Sequence, residues 1–349
     1  MPMTFRYIGS KARVVSEIIE RLGAPSRQSG RFVDLFCGTG AVAEAAARAG
    51  WSVHLNDQLH CAVVMAAARI LRSDNVRFES TGGYYQTVHF LNALAAEQGF
   101  VYRSYSPASA GELGFERRYF TDDNAGRIDA IRRRIGAWKA DGLINDCEER
   151  LLIADLLSAT NRIANIAGTY GCFLSKWQKQ ALGNIALKPR TLMQGEVCVT
   201  LSVVEAGKVK TRPSDVVYLD PPYTKRQYAA YYHLLETIAL GDEPDVSGVA
   251  GIRPWQLKAS DFCYKRRAMG AFTNLISGIA AERLLISYSD NAHVPIENLS
   301  EGIASFGDMT PTILNEIGSY RPNVTASGRR TTVNEYLIEL INLKQEIAA

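Results

Sequence analysis

The chain has 349 residues, of which 47% are hydrophobic, and it carries six cysteines and a formal net charge of +3. That length suits a sheet-based core with an insert better than one minimal domain. No apolar run is long enough for a membrane span, and the scattered cysteines at 37, 61, 147, 172, 198 and 263 exclude a disulfide frame or a zinc site of paired ligands, so no metal is expected.

Residues 1–6 lack the apolar stretch of a signal peptide, so a soluble cytoplasmic protein is expected. Phe5-Arg6-Tyr7-Ile8-Gly9-Ser10-Lys11 forms an arm ahead of a helical pattern over 12–22, and by position alone it reads equally as an untidy terminus. Residues 31–36 then read as a strand, Cys37-Gly38-Thr39-Gly40 as a tight turn, and the Ala-rich residues 41–49 as a helix. A second strand at 52–55 runs into Asp57. This sequence of strand, glycine turn, helix and acid suits a bulky cofactor with a ribose. Glycine lets the ligand approach the backbone, and the carboxylate accepts from ribose hydroxyls. The spacing Gly38-x-Gly40-x-x-Ala43 fits a nicotinamide dinucleotide as well as another nucleoside cofactor.

Residues 75–195 read as a largely helical insert between two parts of a discontinuous core, 1–74 and 196–349. Within it, Thr121-Asp122-Asp123 starts a helix and Gly142 stops it. That helix carries Arg127, Arg132, Arg133, Arg134 and Lys139, which read equally well as a solvated face. Another helix is predicted over 148–167, ahead of a turn at Thr169-Tyr170-Gly171. From 156 to 195 the basic residues Arg162, Lys176, Lys179, Lys188 and Arg190 occur with no acidic residue, interleaved with Tyr170, Phe173 and Trp177. Such a stretch suits a phosphate backbone and is the leading candidate for nucleic-acid contact. A second acid-free patch holds Arg321, Arg329 and Arg330.

The remaining strands are predicted at 216–219, 283–288 and 333–340, with a mobile loop over 241–251. At the end of the 216–219 strand stands Asp220-Pro221-Pro222-Tyr223. The prolines fix φ and remove two backbone donors, so the ladder cannot continue and the carbonyls point elsewhere. The product is an acceptor-rich corner with an aromatic plane. An exocyclic amino group on a planar base needs those parts: a carboxylate and a carbonyl for its two hydrogens, and a ring to stack against. Hydride transfer has no use for them, so the corner favours the second reading of the glycine turn.

With the arm, the glycine turn and this tetrapeptide in order, the chain resembles the Dam-type, alpha-group DNA adenine-N6 methyltransferases. Within that group, the segment from Asp220 through Tyr228, Tyr231 and His233 to Glu236, and the segment from Thr169 to Trp177, are similar to modification methylases of FokI type. The resemblance extends from Tyr7 to Tyr336 and implies a Rossmann-like, S-adenosylmethionine-dependent α/β sheet with an inserted target-recognition domain at 75–195. It implies that Tyr7, Gly9 and Lys11 enclose the methionine end of S-adenosylmethionine, that Asp34, Phe36, Gly38, Gly40 and Asp220 line its middle, and that Asp57 holds the ribose. Asp220, Pro221, Pro222 and Tyr223 would act on an adenine flipped out of double-stranded DNA. Lys225, Arg226, Tyr228, Arg329 and Arg330 would join the basic stretch in holding that DNA. Many relatives carry an acid before the catalytic strand to meet the cofactor's adenine, whereas residues 199–204 offer Thr200 and Ser202. The expected protein is a monomeric bacterial or phage modification enzyme working beside a cognate restriction endonuclease. Methylation of RNA or of a protein glutamine, and a non-catalytic DNA-binding role, are the alternatives.

Overall fold

Short runs of Val, Leu, Ile, Phe and Tyr without polar interruption make the central strands, and their burial on both faces explains why no polar alternation marks them. The computed structural model describes residues 6–344 apart from 10, 12, 27, 29, 315–316 and 319–331. Its seven-stranded sheet is built from β1 (Phe32–Asp34), β2 (Val53–Asn56), β3 (Val199–Ser202), β4 (Val216–Leu219), β5 (Arg283–Ser289), β6 (Asp308–Ile313) and β7 (Glu335–Ile341). The order is β3-β2-β1-β4-β5-β7-β6. The first five are parallel, and β7 runs antiparallel between β5 and β6. The class is therefore the expected α/β one. The strand order reverses between β1 and β4, and open α/β sheets bind ligands at the carboxyl edge of such a point.

Alternate residues set one face of the core. Val33, Val217, Leu284, Ile286, Ile338 and Leu340 pack under the helix Ala268–Ser277 and the helix Ile296–Ile303. Ala268, Phe272, Leu275 and Ile276 recur at the spacing of one helical face, which is why that segment lies down on the sheet.

The chain divides into two compact units. One holds the sheet and comprises residues 9–66, 196–227 and 258–349; the other comprises 1–8, 67–195 and 228–257. The second unit thus contains the segment 75–195 and adds to it 67–74, the arm's first residues and 228–257. It is largely helical, with helices at Tyr84–Asn92, Asp122–Ala140, Asp146–Ile163 and His233–Leu240. Thr121 caps the second of these through Asn124 N–H, as its sequence suggests. The third starts earlier than 148 because Asn145 and Glu148 form a reciprocal capping box. It stops at Ile163, short of the predicted 167, because Ala164 turns to extended backbone. The N-terminal helix likewise shortens to Val15–Leu22, and ahead of it Val14 N–H meets Lys11 C=O at 2.9 Å. Among the described residues, no helix is long and apolar enough to cross a membrane.

Candidate active site

In the sheet unit, three acids come together at the carboxyl ends of neighbouring strands. Asp34 ends β1, Asp57 follows β2 and Asp220 follows β4. The turn that joins β1 to its helix requires glycine at two places. Gly38 and Gly40 have φ of +48° and +78°, and a Cβ on Gly40 would stand 2.5 Å from Ala66 Cα. Asp57 braces this turn, accepting from Gly38 N–H at 3.1 Å and Leu59 N–H at 2.9 Å. Asp34 accepts from Phe36 N–H at 3.3 Å, and its carboxyl is pushed well above the usual range by burial, by Asp220 and by Asp57. Burial, Asp57 and Asp34 raise the Cys37 thiol, so that residue stays neutral. Phe36 meets Phe262 edge to face at 5.5 Å. Crowded acids with this little compensation fit a cationic ligand such as a sulfonium.

Asp220 is held from the arm. Lys11 Nζ lies 3.3 Å from Asp220 Oδ1, donates to Tyr223 Oη at 3.1 Å and pairs with Glu335 Oε2 at 2.8 Å. Burial raises Asp220 most, Glu335 adds to that and Lys11 opposes it, leaving the carboxyl pushed up to about 7. Lys11 itself stays firmly protonated: burial works against its charge, and Asp220, Tyr223 and Glu335 outweigh it. The Tyr223 ring is set by Tyr288, edge to face at 5.6 Å, and its carbonyl accepts from His293 N–H at 2.9 Å. The loop beyond it is pinned by Gln227, whose side chain exchanges two hydrogen bonds with the Ser260 backbone. Lys225 projects to solvent and Arg226 is half-buried. Glu335 is the member that sequence reasoning missed, because nothing local distinguishes it from any other acid at a strand start. Thr200 and Ser202 are engaged by His54, at 2.7 and 3.0 Å, and Thr200 is exposed.

The helical unit sorts the predicted DNA-contact residues. Tyr170 is fully buried, and its carbonyl accepts from Tyr119 Oη at 2.8 Å and meets His233 Nε2 at 2.9 Å. Arg190 pairs with the buried Asp155 at 2.8 Å, and Arg162 donates to Ala186 C=O at 2.7 Å. The expectation of a surface role is corrected for Tyr170, which lies in the unit's interior, whereas Arg190 is half-buried against Asp155. Lys176, Lys179 and Lys188 are exposed. The preceding helix shows the same division. Arg132 donates to the Ile238, Ala239 and Leu240 carbonyls at the end of helix His233–Leu240, whereas Arg133 pairs with Glu97 and Lys139 with Asp146. Tyr7 stacks on Tyr232 at 4.4 Å, and Tyr228 Oη donates to Ile8 C=O at 3.2 Å, so Tyr228 anchors the arm. Arg321, Arg329 and Arg330 lie outside the described residues.

The pattern of the family described as D12 class N6 adenine-specific DNA methyltransferase matches residues 7–293. Type II methyltransferase M.FokI of Planomicrobium okeanokoites is 35% identical over 309 residues, covering 86% of this chain and 47% of that protein. Modification methylase StsI of Streptococcus sanguinis is 31% identical over 308 residues, covering 86% and 46%. Type II methyltransferase M.NlaIII of Neisseria lactamica is 31% identical over 305 residues, covering 86% and 88%. The chain thus spans about half the length of the first two and most of the third.

Proposed function

The chain belongs to the D12 class N6 adenine-specific DNA methyltransferases, and from that premise we propose that it transfers methyl from S-adenosylmethionine to the N6 amino group of an adenine turned out of duplex DNA. The observation that carries this reading is Asp220 at the switch point of the sheet, beside a fixed tyrosine ring and within reach of Asp34 and Lys11. Methylases named for modification among the relatives support a place in a restriction-modification system.

S-adenosylmethionine supplies the methyl group on a sulfonium, whose charge suits the crowded acids. Asp34 and the Gly38 to Gly40 turn would hold its middle and Asp57 its ribose. An adenine amino nitrogen is a poor nucleophile because its lone pair is delocalised into the ring. Asp220 and the Pro221 carbonyl would accept both amino hydrogens and so localise that pair toward the methyl. Tyr223 would stack on the base. A carboxyl pushed up to about 7 also makes Asp220 able to take the proton that the nitrogen sheds.

The purified chain is expected to place labelled methyl on adenine of duplex DNA, and Asp220→Ala to abolish transfer while leaving cofactor binding largely intact. Label on cytosine or on RNA alone, or a lost cofactor affinity with normal turnover, would overturn the reading. Binding of DNA without transfer would favour the non-catalytic alternative.

A further inference from the structure

Two carboxylates share one ammonium at the carboxyl edge of the sheet, and they share it unevenly. Lys11 Nζ is 2.8 Å from Glu335 Oε2 but 3.3 Å from Asp220 Oδ1. Water is nearly excluded: 5% of the Lys11 side chain and 15% of each carboxylate side chain remain exposed. The reversed strand makes this possible. Glu335 begins β7 opposite Ser289 at the end of β5, while Asp220 follows the residue of β4 that pairs with Ile286. A strand start and a strand end therefore meet at one edge, with β5 between them. An ammonium has three hydrogens, and the two shorter contacts go to Glu335 and Tyr223 Oη.

We propose that Glu335 is a positioning residue for methyl transfer: by anchoring Lys11 it keeps the ammonium from closing on Asp220, so that the Asp220 carboxylate stays open to the target amino group. The proposal rests on the reading of Asp220 as acceptor. Without the anchor, Lys11 would settle on Asp220, occupy its lone pairs and reduce its basicity. Charged and titratable groups face Asp220 from every side: Lys11 from the arm, Glu335 from β7, Tyr218 from β4, Asp34 from β1 and Tyr223 from its own loop. Loss of the Glu335 charge removes an influence that raises Asp220, and release of Lys11 toward Asp220 lowers it further. Both changes have the same sign.

Glu335→Gln and Glu335→Asp in the full chain test this through two readouts. Carboxyl-carbon NMR of Asp220 needs no turnover, and in Glu335→Gln its titration midpoint is expected to fall by about one pH unit. For adenine methylation, kcat is expected to fall about 10- to 100-fold, with its acid limb moved to lower pH and cofactor and DNA affinities within about threefold of the parent. Glu335→Asp keeps the charge one methylene farther back and is expected between parent and Glu335→Gln in both readouts. If Glu335→Gln does not fold, the shift between parent and Glu335→Asp decides. An unmoved Asp220 midpoint, an unchanged kcat, or equal loss of cofactor and DNA binding overturns the proposal. A parent chain that methylates no adenine refutes the functional reading instead, and the NMR titration still reports how Lys11 is divided.

Discussion

Asp57 braces the glycine turn, accepting from Gly38 and Leu59 N–H, and its place after β2 is where a carboxylate would meet the ribose in the proposed reading. Asp57→Ala is expected to raise the cofactor dissociation constant about tenfold or more, the loss of a charge-assisted hydrogen bond of roughly 1.5 to 3 kcal/mol, with DNA affinity nearly unchanged. Calorimetric titration of each ligand checks this; equal weakening of both would make Asp57 purely a brace of the fold. Asp34, Asp57, the two glycines and Asp220 were legible in the sequence because each stands at a strand end with its signature in a few adjacent residues. Glu335 was not. Its place beside Lys11 spans 324 residues and depends on a strand reversal that no local pattern announces.

The segment after helix Asp146–Ile163 makes the same point for an element. Buried Asn165 closes it: its side chain donates to Arg118 and Leu174 carbonyls at 3.1 and 2.9 Å and accepts from Gln178 N–H at 3.0 Å. Tyr170 fixes the middle through its carbonyl, which His233 and Tyr119 share. Lys176 and Lys179 are thereby presented on a braced loop. Burial lowers the His233 pKa from 6.5 to about 4, and its hydrogen bond to the Tyr170 carbonyl only partly opposes this, so the buried ring is neutral at neutral pH. The unfolded chain therefore takes up a proton that the folded one refuses. The contribution of His233 to stability is full above about pH 6.5 and falls by about 1.4 kcal/mol per pH unit down to about 4. His233→Gln retains a donor for the Tyr170 carbonyl but does not titrate. Denaturant unfolding at a series of pH values is expected to show that slope reduced by about one proton in the variant; an identical slope would deny the brace this role. The helix boundaries were readable from caps, whereas the partners of Asn165 and His233 lie too far along the chain to be seen.

For the whole molecule, the sequence suggested a discontinuous sheet core with a helical insert, and strands β1, β2, β4 and β5 stand where their apolar runs place them. It did not show that 228–257 packs with the helical unit, since a segment following the catalytic tetrapeptide carries no mark of its tertiary neighbours. The proposal of a DNA-facing basic stretch now concerns Lys176, Lys179 and Lys188, which are exposed. Replacing Lys176 and Lys179 together by Gln is expected to weaken DNA binding and lower the slope of log affinity against log salt by roughly one to two, with cofactor affinity unchanged. Fluorescence anisotropy over a salt series measures it, and an unchanged slope in a folded double variant would remove this loop from the DNA path.

The position of β7 also bears on how the protein is made. It is the last strand among the described residues, yet it occupies an interior place, with β5 on one side and β6 on the other. During synthesis β5 emerges well before its partner, leaving the backbone groups of Leu284, Leu285 and Ile286 with an open edge of strongly apolar character. That edge invites pairing with another chain until β7 arrives to fill the gap. A chain slowed at this stage is therefore expected to be lost to aggregation more than to proteolysis, and a chaperone that shields a single exposed strand edge would raise its yield.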